Sequence, residues 1–191
     1  MYRKPLLALL AGCLASPAIP QAAPIYANIE QIKLVSCDGG EVTGTAFRTG
    51  TGAFTTANHL TSGRVCQIDG EPVQVTWSSN ELDIAITRTA VYGVPLEIDC
   101  GGMADGQEVV GIGYAAGIPL QRAISAIASD EMTRRYQWGG FTTLLSPVRF
   151  IPGMSGGPVL AGGKVVGIVN GLHLYEPLSF SQSLSETPLC A

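Results

Sequence analysis

Gly153-Met154-Ser155-Gly156-Gly157-Pro158 sets one serine in a glycine-flanked turn that runs directly into an apolar segment, Pro158-Val159-Leu160. Glycines on both sides permit a tight, positive-φ turn that projects a hydroxyl and leaves space beside it. A serine hydroxyl is a weak nucleophile until an adjacent base accepts its proton. Upstream, Thr55-Thr56-Ala57-Asn58-His59 and Leu82-Asp83-Ile84-Ala85-Ile86 bring a histidine, an aspartate and the serine into that chain order. Histidine is the matching base, and a buried carboxylate fixes its tautomer and stabilises the imidazolium. The chain has only two histidines. His173 follows Ser155, with Glu176 beyond it, which is the wrong order for a Ser-Asp-His arrangement. His59 is therefore the candidate base. Asp83 interrupts an apolar run, where an ionised group needs a strong partner to offset its desolvation, and His59 supplies one.

Outside these segments the chain reads as short strands separated by turns. Strands are expected at 31–36, 42–48, 72–77, 82–88, 108–114, 121–128, 141–146 and 164–170. The alternation of Val73, Val75 and Trp77 predicts one buried face. Glycine pairs at Gly39-Gly40, Gly101-Gly102, Gly139-Gly140 and Gly162-Gly163 mark the turns. No long helical pattern is present, and Pro177 and Pro188 oppose one near the end of the chain. The expected class is all-β.

The three motifs resemble those of the trypsin-like serine proteases, which read Thr-Ala-x-His, Asp-(Ile/Leu)-Ala-(Val/Ile/Leu) and Gly-x-Ser-Gly-Gly-Pro in the same order. The compact spacing is similar to that of exported bacterial members, including protease domains of the high-temperature-requirement type. The resemblance runs from about Val42 to Gly171. It implies two six-stranded antiparallel β-barrels, about 28–102 and 103–191, with the active site in the cleft between them. It implies His59, Asp83 and Ser155 as catalytic residues, an oxyanion hole from the amides of Gly153 and Ser155, and a protein or peptide substrate. Asn170-Gly171-Leu172 would correspond to the segment that pairs with an extended substrate, and strand addition gives affinity while pockets give selectivity.

Two positions depart from the family pattern. Met154 stands where digestive enzymes carry an aspartate that pairs with a newly cut N-terminus, so the active turn must be held by other contacts. Arg149 stands six residues before Ser155, where trypsin carries its specificity aspartate. A basic side chain there favours an acidic residue before the scissile bond, whereas Phe150 and Ile151 favour a small or apolar pocket. Both alternatives stand on the sequence.

Composition excludes some functions. The net charge is −4 and lysine is confined to Lys4, Lys33 and Lys164, so no basic stripe exists for nucleic acid. Arg134-Arg135 is an isolated pair. No metal or organic cofactor is implied. Residues 1–27 read as an export signal, with Arg3 and Lys4 ahead of a short apolar run. Leu10-Ala11-Gly12-Cys13 also fits the box at which lipoprotein precursors are cut and lipidated on cysteine. A lipid on Cys13 and an ordinary cut near Ala27 are both consistent with it, and both place the protein outside the cytosol, either periplasmic or secreted. Oligomeric state is not legible. In an oxidising setting Cys37, Cys66, Cys100 and Cys190 form an even set that permits three pairings. By the resemblance, Cys37 pairs with Cys66 to clamp the segment holding His59, leaving Cys100 with Cys190.

Overall fold

The computed structural model describes residues 29–119, 121–129, 143–146 (as backbone) and 149–191. The export segment with Cys13, the Arg134-Arg135 pair, the Gly139-Gly140 turn and Phe141 lie outside the described residues. The described residues form two antiparallel sheets. The first contains β1 (Ile32–Cys37), β2 (Val42–Gly50), β3 (Ala53–Ala57), β4 (Cys66–Ile68), β5 (Glu71–Pro72), β6 (Gln74–Ser79) and β7 (Ile84–Arg88). A single turn of helix, α1 (Asn58–Thr61), follows β3. The second sheet contains β8 (Glu108–Tyr114), β9 (Gln121–Ser129), β10 (Thr143–Ser146), β11 (Pro158–Ala161), β12 (Lys164–Leu172) and β13 (Ser179–Ser183).

The second sheet closes into a six-stranded barrel in the order β10-β13-β12-β11-β8-β9. The first has seven strands, β5-β4-β1-β2-β3-β7-β6. The count departs from six because the segment read as one strand from Pro72 is two: β5 pairs with β4 and β6 pairs with β7. The expected buried face of that segment is also broken. Pairing of β6 with β7 slips between Val75 and Trp77, and such a bulge reverses the side-chain alternation. Val75 is accordingly 41% exposed.

The main apolar cluster lies where the sheets meet: Phe47, Ala57 and Ile84 from the first pack with Val110, Ile112 and Ile168 from the second. Apolar burial of this kind is non-directional, so polar contacts must set the relative placement of the two sheets. The connection between them bonds to both. Leu96 donates its amide to the Arg48 carbonyl, while Glu97 and Asp99 bond to the backbone of Val165. Arg48 is itself buried. Its guanidinium donates to Gln31 Oε1 (2.8 Å) and the Val91 carbonyl (2.5 Å) and lies over the Phe54 ring at 4.4 Å. It thereby ties β2 to the segment before β1 and to the inter-sheet connection.

Among the described residues there are two disulfides, Cys37–Cys66 and Cys100–Cys190. The first joins directly opposed residues of β1 and β4. The second fastens the residue before the chain's last to the inter-sheet connection.

Candidate active site

Strand register brings His59 to Asp83. Strands β3 and β7 are antiparallel, and Ala57 pairs with Ile84. The residues just past β3 and just before β7 therefore face each other at one end of the first sheet. The Asn58 amide donates to the Asp83 carbonyl at 3.1 Å. α1 then turns His59 back toward Asp83, and Arg64 Nη1 donates to the His59 carbonyl at 2.6 Å, satisfying a helix end that would otherwise lack a donor.

The Asp83 carboxylate is fully engaged. Oδ1 accepts the His59 backbone N–H at 2.8 Å, and Oδ2 accepts the His59 Nδ1 proton at 2.7 Å. Because a carboxylate only accepts, Nδ1 carries a proton, and in the neutral imidazole Nε2 then keeps the lone pair. Asn170 Nδ2 adds a bond to Oδ2 at 3.1 Å and one to the Asp83 carbonyl at 3.2 Å. Burial pushes the Asp83 carboxyl up. The hydrogen bonds and charge of His59, with the Asn170 amide, outweigh that and hold it below the ordinary carboxylate range. Asp83 has φ of 51°, a left-handed conformation that aspartate and asparagine tolerate better than most residues. Such strain persists where the surroundings over-determine the backbone. Here the two donors on its carbonyl and the pairs at its side chain do so.

Ser155 sits in the turn before β11, on the second barrel. Gly156 N–H donates to the Val169 carbonyl (2.6 Å) and Val169 N–H donates to the Gly157 carbonyl (2.8 Å), which seats the turn on β12. Gly156 has φ of 81°, and a Cβ there would collide with the Thr45 carbonyl and the Thr56 hydroxyl; no other residue fits. Met154 is fully buried in the second barrel's core, so the position that carries an aspartate in digestive enzymes here contributes packing.

The amides of the turn divide into two groups. Met154 donates to the Ile151 carbonyl, Gly156 to Val169 and Gly157 to Met154. Among the described residues, the N–H groups of Gly153 and Ser155 have no acceptor. Two unspent donors flanking a buried methionine, next to a serine hydroxyl, are suited to receive an oxygen on which negative charge develops. A cavity of about 380 Å³ opens beside Gly153, lined also by Glu41, Thr43, Ala116, Gly117 and Pro152.

The Ser155 hydroxyl donates to the Asn170 carbonyl at 3.1 Å; among the described residues no hydrogen bond joins it to His59. Asn170 therefore touches both halves of the site, its side chain on Asp83 and its carbonyl on Ser155. A slip in the β12–β13 pairing between Val169 and Gly171 turns it there, a common use of a bulge.

The sequence of this chain matches the model of the trypsin-like peptidase domain over residues 42–168. The chain belongs to the trypsin-like peptidase family. This trypsin-like peptidase shares its fold with the Rv3671c protease of M. tuberculosis in its active form, at 21% identity and a TM-score of 0.67, over 94% of this chain and 91% of that one. The HtrA-type protease AlgW with a tripeptide aligns at 19% identity and a TM-score of 0.65, over 80% of this chain and 56% of that one. A serine endoprotease from Yersinia pestis aligns at 18% and 0.64, over 81% and 59%. No curated protein sequence matches the chain. Membership of this family supports a hydrolase of the peptidase class acting on a protein or peptide substrate.

The remaining residues of interest in this trypsin-like peptidase are placed as follows. Arg149 is exposed, and its Nε donates to the Glu176 carbonyl at 2.9 Å, bridging to the loop after β12. The Phe150 ring is buried in the second barrel's core against Gly111, and its amide donates to Ser179 Oγ at 2.7 Å. Ile151 is 39% exposed. Of the three, Arg149 and Ile151 therefore offer side chains to solvent and Phe150 does not. Gly171 is partly exposed beside Asn170. His173 accepts the amides of Tyr175 and Glu176 on Nδ1 and so shapes the loop that Arg149 reaches. Among the described residues, no group of three His, Cys, Asp or Glu side chains is placed to hold a metal.

Proposed function

We propose that this peptidase is an exported serine endopeptidase that cleaves through an acyl-enzyme on Ser155. The observation that carries the reading is the pairing of His59 Nδ1 with Asp83 Oδ2 at 2.7 Å, which leaves Nε2 as the base. In the first step the Ser155 hydroxyl turns from the Asn170 carbonyl to His59 Nε2, gives up its proton and attacks the substrate carbonyl. The oxyanion is received by the amides of Gly153 and Ser155. Two such donors act on charge that exists only in the transition state, each worth roughly 3 kcal/mol. His59 then protonates the leaving amine, and Asp83 stabilises the imidazolium meanwhile without taking the proton. A water activated by the same histidine hydrolyses the ester and returns the Ser155 proton.

Export is supported by the signal-like residues 1–27 and by two disulfides in the mature domain, bonds that persist in oxidising compartments. Anchoring through a lipid on Cys13 is the membrane-attached variant of the same reading. The protease unit spans residues 28–191, divided near 102–103. Arg149, Ile151, Asn170 and Gly171 are the candidates for substrate contact. One observation favours a second reading, a catalytically silent partner-binding protein: the Ser155 hydroxyl rests on a carbonyl rather than on the imidazole. Fold alone does not decide activity.

The test is phosphonylation of the oxidised protein by a fluorophosphonate, with the adduct mapped by peptide mass spectrometry alongside His59→Ala. An adduct on Ser155 that is lost in the histidine variant is the expected result. A folded protein that stays unmodified under the same conditions supports the silent reading.

A further inference from the structure

Thr45 lies in the middle of β2, on the sheet that does not carry Ser155, and it is completely buried. Its three polar groups make four hydrogen bonds. Its amide donates to the Ser155 carbonyl at 2.8 Å. Its hydroxyl donates to the Gly153 carbonyl at 2.8 Å and accepts the Tyr114 amide at 2.9 Å. Its carbonyl accepts the Thr56 hydroxyl at 2.6 Å. The two carbonyls that Thr45 holds belong to Gly153 and Ser155, the same two residues whose amides are unspent.

The direction of the hydroxyl bond is fixed by chemistry. A hydroxyl has one proton, and a backbone N–H can only donate. With the Tyr114 amide occupying a lone pair, the Thr45 proton is directed at the Gly153 carbonyl. Gly153 sits at φ of 93° and has no Cβ, so the turn has little conformational preference of its own. The peptide planes on both sides of the 154–155 unit, which carries the Ser155 N–H, are pinned by one residue of the other sheet. The plane carrying the Gly153 N–H is pinned at its far end, where the Pro152 carbonyl accepts the Ala116 amide. The contact that an aspartate supplies in digestive enzymes is absent at Met154, and the Thr45 hydroxyl is a polar side-chain contact that reaches the turn from the other sheet.

We propose that Thr45 is a positioning residue for the reaction: its hydroxyl, oriented by the Tyr114 amide, aligns the two oxyanion-receiving amides and makes that alignment depend on docking of the first sheet. This rests on the serine-endopeptidase reading above. Thr45 is completely buried and closed to substrate, so removal of its hydroxyl is expected to act on the transition state while ground-state binding is retained.

The experiment compares wild type with Thr45→Val, which keeps the shape and deletes the hydroxyl, and with Thr45→Ser, which keeps the hydroxyl. Each is checked for native circular dichroism before assay. For Thr45→Val the expected result is kcat lower by roughly 10- to 100-fold with KM changed less than about threefold, below the loss from deleting an oxyanion donor outright. Phosphonylation of Ser155 and affinity for a peptidyl trifluoromethyl ketone, which binds as a charged tetrahedral adduct, fall in the same proportion. Thr45→Ser restores all three to near wild type. Should Thr45→Val not fold, Thr45→Cys, a weaker donor, must fall below Thr45→Ser in kcat. The proposal is overturned if the hydroxyl-free variant phosphonylates as fast as wild type, or if serine and valine (or cysteine, in its place) are equally impaired. A wild-type protein unreactive at Ser155 overturns the endopeptidase reading itself, and this proposal with it.

Discussion

Asp83→Asn isolates the chemistry of the carboxylate from its structural duties. The left-handed backbone at φ of 51° suits asparagine as well as aspartate, so the substitution leaves the turn unstrained, unlike Asp83→Ala. The side chain, however, must now offer one oxygen and one NH₂ where two oxygens accepted three protons, from His59 N–H, His59 Nδ1 and Asn170 Nδ2. If the oxygen faces the His59 amide, the NH₂ faces Nδ1 and the Asn170 NH₂. If it is reversed, the NH₂ opposes a backbone N–H that can do nothing but donate. The first arrangement is favoured, because the imidazole can yield by moving its proton to Nε2. That tautomer has no lone pair for Ser155. The expected loss in kcat is roughly ten-thousandfold, about 5.4 kcal/mol of transition-state stabilisation, by analogy with the tautomer trap in other triads. The assay is steady-state hydrolysis of a fluorogenic peptide by both proteins after matched thermal melts. A folded Asp83→Asn protein keeping more than about a tenth of wild-type kcat would refute the tautomer argument.

Asn170→Asp places a second carboxylate against the first. One of the pair must then hold a proton, so the acid limb of the kcat/KM profile moves to higher pH, whereas Asn170→Ala lowers activity by about ten- to a hundredfold through one lost charge-assisted bond. Stability has a defined acid response. The folded-state carboxyl of Asp83 titrates below its ordinary value of 3.8, so its contribution is complete above that value and is lost as pH falls through the folded value. Urea midpoints of wild type and Asp83→Asn should therefore keep a constant gap from neutral pH down to about 4 and converge below it. If the gap instead closes near neutrality, Asp83 is not held ionised. Removing Cys100–Cys190, whose partners are 90 residues apart, should cost about 4.6 kcal/mol, against about 3.6 for Cys37–Cys66, 29 apart. Equilibrium unfolding of the paired serine variants measures both, and the reverse order would show that native-state strain dominates.

Much of this site is readable in the sequence because its motifs are local. His59, Asp83 and Ser155 each stand in a short stretch with its own turn chemistry, and β8 at Glu108–Tyr114 was expected with the bounds it has. What escaped depends on register between distant segments. Thr45 looks like any strand threonine until β2 is laid against the serine turn, over a hundred residues away. Asn170 reads as part of a substrate-pairing strand; only the slip in β12–β13 pairing turns its amide onto Asp83. The strand at Ser179–Ser183 lacks the alternating apolar pattern, since its serines and Gln182 are buried. Phe150, expected at a pocket, is drawn into the core by the space that Gly111 leaves.

The disulfides enclose the candidate base and the candidate nucleophile separately. His59 lies inside the loop closed by Cys37 and Cys66, and Ser155 inside the loop closed by Cys100 and Cys190. A backbone cut anywhere from 38 to 65, or from 101 to 189, leaves every fragment covalently joined. Exposed to proteases, the chain would then take one nick in each loop without shedding either residue. On a non-reducing gel such molecules run as intact chains, and the tally of past cleavages emerges only when the sulfur bridges are opened.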